Sequence, residues 1–245
     1  MRVAVIADVH GNALALEAVL RDARSAGFDL LIDLGDSVSG PLWPAESLAL
    51  LAEAGARRVR GNHDRVVGCE PLEGMPPVDA FAHARLDPSQ RDALAALPET
   101  LRVGPLLAVH GTPDSDMKYL MHQATPQGVR ERRPDELLER LGDAGDAELI
   151  LCGHTHRAHA ARLADGRLIV NPGSVGQPAY AWDHPVPHRM EAGTPHARWA
   201  LLQRGPDGWQ IDQRLVPYDW NRASAEAMRN GYPNSAHALL TGYAA

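Results

Sequence analysis

Nine side chains of types that bind metals or move protons lie in short clusters along the chain. Asp8 and His10 sit in "DVH", Asp36 in "GD", and Asn62, His63 and Asp64 in "GNHD". His110 sits in "HG", and His154 and His156 in "GHTH". Imidazole and carboxylate oxygen are suitable ligands for Zn, Mn, Fe or Ni. No cysteine falls in any cluster, which argues against a structural Cys-rich zinc site. Taken singly, each cluster fits a solvated turn. His154 and His156 are two apart, so in an extended segment both project to one side. The donors are too many for one ion and suit two.

The elements that must position them are strands. "RVAVIAD", "FDLLIDLGD", "ARRVRGN", "LLAVHG" and "AELILCGHTH" are apolar runs, each ending at one of the clusters. Between the first three lie two helices: "GNALALEAVLRDARSAG", with Asn12 as N-cap, and "PAESLALLAEAG", with Pro44 in its first turn. The β-α-β-α-β order predicts an α/β core with parallel strands, doubly wound on this pattern alone. In such a sheet ligands bind at the carboxyl ends of the strands, where residues distant in sequence converge.

The rest of the chain is read more coarsely. Residues 66–100 look irregular, with a helix near 88–97 opening on Asp87. Residues 101–111 are two short strands joined at Gly104-Pro105. Residues 112–133 are an excursion of uncertain structure, followed by a helix at 134–142. "RLIVNPGSVGQP" is a strand and a Gly/Pro loop, and 181–196 reads as a surface loop. Residues 197–217 form a hairpin about Gly205-Pro206-Asp207-Gly208. The expected division is a main domain over 1–217, with a helical tail over 218–245 packed on it.

Composition bounds the function. The 245 residues suffice for a large core, and a formal net charge of −7 makes bulk binding of nucleic acid unlike this chain. No run approaches about 18 apolar residues, so no membrane span is expected. The apolar run at the start is too short for a signal-peptide core. Two distant cysteines, Cys69 and Cys152, fit a reducing cytoplasm.

All five blocks, in this order, make the chain similar to the calcineurin-like metallophosphoesterases. "DVHGN" (8–12), "NPGSVGQP" (171–178), "HGTPDSDMKYL" and the tail "VPYDWNRASAEAMRNGYP" resemble the bacterial and archaeal branch related to diadenosine tetraphosphatases. The resemblance implies a β-sandwich of two mixed sheets flanked by helices, which replaces the doubly wound reading. It implies two divalent transition-metal ions (Mn, Fe, Zn or Ni), with Asp8, His10 and His156 on the first, Asn62, His110 and His154 on the second, and Asp36 bridging. His63 would face the substrate as proton donor, and Asp64 would orient it by accepting its other N–H, with a turn cap as the structural reading of Asp64.

The expected reaction is attack of a metal-bridging hydroxide on a small phosphodiester or nucleotide, with the ions about 3.5–4 Å apart. A Ser/Thr phosphoprotein phosphatase and a metal-binding scaffold without turnover are the alternatives. Asn12 and Arg65 are candidate substrate contacts, though an N-cap and a solvated side chain are their structural readings. His83, His122, His184, His188 and His196 read as loop residues, His159 as a surface group, and Cys152 as a core thiol.

Overall fold

The first expected strand is β1 (Arg2–Ile6), buried from Val3 onward. Asn12 caps α1 (Ala13–Ala26) by accepting from the Ala15 N–H. β2 (Leu30–Asp33) follows, then α2 (Pro44–Glu53), which starts on a proline whose missing N–H is not needed in a first turn. β3 is only Arg57–Arg58. The turn expected at GNHD is instead a helix start: Gly61 is the N-cap of α3 (Asn62–Cys69). The irregular stretch holds two further short helices, α4 (Pro77–His83) and α5 (Pro88–Ala95). Asp87 and Gln90 cap α5 reciprocally.

β4 (Thr100–Val103) and β5 (Leu106–Val109) pair antiparallel across Gly104-Pro105. The excursion carries a hairpin, β6 (His122–Thr125) with β7 (Gly128–Glu131). α6 (Pro134–Leu141), β8 (Leu149–Leu151), β9 (His159–Arg162) and β10 (Leu168–Asn171) come next. The segment expected as a surface loop at 181–196 carries part of an antiparallel ribbon, β11 (Ala179–Trp182) with β12 (His188–Glu191). Its polar composition hid a period-2 pattern in which His188 and Met190 point inward and Arg189 outward. β13 (Ala197–Gly205) and β14 (Gly208–Val216) are the expected hairpin. In the tail, α7 (Trp220–Arg229) and α8 (Pro233–Thr241) close Ala223, Ala227, Ala236 and Leu239 over Leu42.

This computed structural model describes all 245 residues. It contains two five-stranded sheets, ordered β14-β13-β1-β2-β3 and β4-β5-β8-β10-β9. Both are mixed. β1 runs parallel to β2 and antiparallel to β13, while β8 runs parallel to β5 and β10 with antiparallel strands outside them. The architecture is therefore the two-sheet sandwich, not one doubly wound sheet.

Alternation along each strand builds the layers. Val3, Val5 and Ile32 face Leu106, Ala108, Leu149 and Leu151 between the sheets. Ala4, Ile6, Leu31 and Trp199 face Leu16, Val19 and Leu20 of α1. Leu107, Val109 and Ile150 face Leu137 and Leu141 of α6. Both faces are covered, which is why these strands read as unbroken apolar runs. Each large aliphatic buried this way contributes about 1.5–3 kcal/mol. That burial holds the carboxyl ends of β1, β2, β5 and β8 rigidly beside one another. No helix is long and apolar enough to cross a membrane.

Candidate metal centre

The loops leaving these strand ends are bent hard. Five non-glycine residues have positive φ: Asp8 (56°), His10 (48°), Asp36 (57°), His154 (67°) and His156 (57°). All five are expected ligands, and no other non-glycine residue in the chain has this conformation. Each costs on the order of 1–3 kcal/mol, and such strain persists only where surrounding structure over-determines it. Here the backbones brace one another. Asp8 N–H donates to the Gly35 carbonyl (3.0 Å), His10 N–H to Asp36 (2.9 Å) and Gly153 N–H to His110 (2.8 Å). The "NPGSVG" loop lies underneath, its Ser174 hydroxyl (2.8 Å) and Gly176 N–H (3.1 Å) donating to the Asp8 carbonyl.

The bends aim the side chains at one point. Asp8, His10 and His156 form one group of donor atoms and Asp36, His110 and His154 a second, the atoms of each lying within 4.8 Å of one another. His10 Nε2 is 3.1 Å from His156 Nε2, and His156 Nε2 is 3.4 Å from Asp8 Oδ1. In the second group, His110 Nε2 is 3.1 Å from Asp36 Oδ2 and 3.2 Å from His154 Nδ1. Asn62 Oδ1 joins it at 3.1 Å from His110 Nε2. Asp36 Oδ2 also lies 4.0 Å from His10 Nε2, so this carboxylate stands between the groups.

Each histidine is fixed by its outer nitrogen. Nδ1 of His10, His110 and His156 meets the carbonyls of Ser39 (2.6 Å), Leu34 (2.8 Å) and Gln177 (2.6 Å). His154 is turned over: its Nε2 meets the Met117 carbonyl (3.1 Å) and its Nδ1 faces inward. A carbonyl accepts only, so the outer nitrogen carries hydrogen, and in the neutral ring the inner one presents its lone pair. Donors of this type, converging with lone pairs inward, fit a divalent transition metal.

The charges agree with that fit. Burial and the charge of His156 push His10 down to about 4, and burial and His110 push His154 down to about 3, so both rings are neutral donors at pH 7. Burial disfavours the ionised carboxylates, yet neighbouring imidazoles hold Asp8 below its ordinary value and Asp36 well below. Burial also disfavours an imidazolium at His110, but Asp36 outweighs it and raises that ring to about 10. The proton on His110 occupies the place that a cation would take, and metal binding would release it.

His63 lies at the edge of the cluster, its ring edge-on to that of His10 with centroids 5.4 Å apart. Its Nδ1 meets Asp79 Oδ1 at 2.7 Å and Ser39 Oγ at 3.2 Å. Burial opposes its charge, but Asp36 and the hydrogen bond to Asp79 prevail and raise it to about 9. The expected partner, Asp64, makes no hydrogen bond with that ring. Its carboxylate accepts from the N–H groups of Asp36 (2.8 Å), Ser37 (3.0 Å) and Gly61 (3.1 Å). The reason is local: Asp64 is the third residue of α3, and a carboxylate there turns back onto the helix start.

The two candidate substrate contacts are also occupied within the fold. Asn12 is fully buried, capping α1 and donating to the Gly176 carbonyl (3.0 Å) and the Tyr218 hydroxyl (3.2 Å). Arg65 is paired with Asp116 (2.7 Å) and Glu70 (2.6 Å). It lines a cavity of about 190 Å³ that reaches His110, together with Thr112, Ser115 and Asp116. A wider cavity of about 580 Å³, around Lys118, Arg130 and Arg132, contains none of the donor residues. His122 and His188 begin strands and are buried rather than lying in loops. Sequence reading missed Asp79, the Met117 carbonyl, and Tyr119 and Tyr180, whose rings pack on His154 and His156. None of them follows a buried strand, which was the signal used.

Comparison with known proteins bears on the same residues. The family model for the calcineurin-like phosphoesterase superfamily domain matches residues 1–186. An uncharacterized protein of Methanocaldococcus jannaschii is 28% identical over 248 residues, covering 94% of this chain and 93% of its own length. A metallophosphoesterase from Sphaerobacter thermophilus, known from its crystal structure, is 27% identical with a TM-score of 0.73, covering 99% of each chain. A hypothetical protein from Pyrococcus horikoshii OT3 superposes with a TM-score of 0.79 over 100% of this chain and 99% of its own. At 19% identity, that likeness speaks to the fold.

Proposed function

The chain belongs to the calcineurin-like phosphoesterase superfamily, and from that premise we propose a metal-dependent phosphodiesterase acting on a small substrate. Nucleotides and dinucleoside polyphosphates are the class suggested by "DVHGN" and "NPGSVGQP". The observation that carries this reading is the pair of converging donor groups with Asp36 between them. In this proposal Asp8, His10 and His156 hold one divalent cation, Asn62, His110 and His154 a second, and Asp36 both. When bound, the two cations, manganese among the candidates, supply an activated water and stabilise charge on the phosphoryl oxygens.

The chain's own groups do the rest. Two carboxylates against two divalent cations leave the centre positive, and Asn62 adds an oxygen without adding charge, so an anionic ester is attracted. His63 has its Nδ1 engaged and its side chain 29% exposed. That leaves Nε2 to hand a proton to the leaving oxygen. The cavity beside His110 takes one arm of the ester, with Arg65 held in its wall by Asp116. Both cysteines are free, which suits the cytoplasm.

The test is a substrate screen of protein reconstituted with Mn, Ni, Zn or Fe. The substrates are a bis-aryl phosphodiester, an aryl monoester, cyclic nucleotides, dinucleoside polyphosphates and a phosphopeptide. Turnover of a diester faster than the monoester is expected. Preference for the phosphopeptide would make the protein a phosphatase, and no turnover with any metal would make it a scaffold.

A further inference from the structure

Asp79 lies outside every sequence block that carries the candidate centre. It sits in α4, within the segment whose sequence reads as irregular. Its side chain is fully buried, yet its one side-chain hydrogen bond is to His63 Nδ1, at 2.7 Å. The other oxygen, Oδ2, is buried with no partner. A buried carboxylate left half unsatisfied is costly. One retained in that state, directed at a single imidazole, fits a role toward that imidazole better than a role in stability.

The packing around it keeps the contact in place. Ala82 of α4, Val67 of α3 and Leu94 of α5 share a small core with Val38 and Leu86. That core fixes α4 against α3, the helix whose first turn carries His63. Ser39 Oγ, 3.2 Å from the same Nδ1, approaches from the loop after Asp36. An ionised carboxylate accepts only, so Nδ1 carries hydrogen and Nε2 is the nitrogen left for chemistry.

We propose that Asp79 is the positioning residue for His63, holding its Nδ1–H so that Nε2 meets the leaving oxygen of the ester. Asp64 does not share this role. The proposal rests on the phosphoesterase reading above, because that reading makes His63 the proton donor. Proton donation matters most when the departing oxygen is a poor leaving group. Removing Asp79 should therefore slow poor leaving groups selectively, whereas general damage to the fold slows all of them.

The experiment uses the full metal-reconstituted protein and aryl phosphodiesters of graded leaving-group acidity. In Asp79→Asn, kcat for the most basic phenol should fall by about 10–100-fold and that for the most acidic phenol by less than about 3-fold. The double variant Asp79→Asn/His63→Ala should be no slower than His63→Ala alone. A uniform loss across the series, or additive losses in the double variant, would overturn the proposal. A second measurement does not depend on turnover. The low-field proton resonance of His63 Nδ1–H should be present in the native protein and lost in Asp79→Asn. Its persistence in the variant would refute the contact even if the protein hydrolysed no ester, whereas failure of all turnover with the resonance behaving as expected would refute only the phosphoesterase reading. If Asp79→Asn does not fold, Asp79→Ala with added formate replaces it, and restoration of the leaving-group pattern by formate is the expected result.

Discussion

Replacing Asp64 by asparagine separates its structural position from the role its sequence neighbourhood suggests. The carboxylate is fully buried and accepts three backbone N–H groups: Oδ2 from Gly61 and Asp36, Oδ1 from Ser37. An amide offers one accepting oxygen, so its NH2 must face at least one of those donors. One or two buried N–H groups are orphaned, at about 1–3 kcal/mol each. The expected loss is roughly 2–4 kcal/mol, against a typical total of about 5–15 kcal/mol. In urea, with a slope of about 3 kcal/mol per M, the unfolding midpoint should fall by about 1 M. The donors released belong to the loop that carries Asp36, so divalent metal should bind about 10–100-fold more weakly by calorimetry. The leaving-group dependence of turnover should keep its native slope, because His63 retains Asp79. The reasoning would be refuted by Asp64→Asn with native stability and metal affinity but a steepened leaving-group dependence, since that would place Asp64 on His63 after all.

Two further perturbations test other parts of the structure. Burial, with Arg157, His159 and Arg132 nearby, drives His122 down to about 3, below its unfolded value of about 6.5. Its contribution to stability is therefore present above about pH 6.5 and lost as pH falls toward 3. Between about pH 7 and pH 4.5 that loss comes to about 2.5 kcal/mol, so His122→Leu should flatten the acid limb of stability measured in urea. Parallel pH curves for the two proteins would show the shift is not there. Asn12→Ala should cost about 1–2 kcal/mol through the lost cap and leave KM within about 2-fold. A tenfold rise in KM at native stability would make Asn12 a substrate contact.

The convergence of the seven candidate donors was legible because its signal is local. Each follows an apolar run whose composition says strand, and the carboxyl ends of neighbouring strands meet whatever their separation in sequence. The caps at Asn12 and Asp87 were legible for the same reason: the donor and acceptor lie three residues apart. The ribbon β11–β12 was not, because His and Pro masked its alternation.

What the sequence determined by itself is the inventory of the centre: which residue types stand at which strand ends. What only the tertiary structure decided is partnership. Strand period is the same in parallel and antiparallel pairs, so the division into two mixed sheets depends on which strands meet in space. The acids show it most clearly. Asp64 is one residue from His63 but is turned back onto backbone N–H groups by the start of its own helix. Asp79 is sixteen residues away and meets the imidazole because α4 packs on α3. Hydrogen bonds are satisfied by proximity in space, and the packing of small helices around Val67 and Ala82, not the spacing of motifs, set that proximity here.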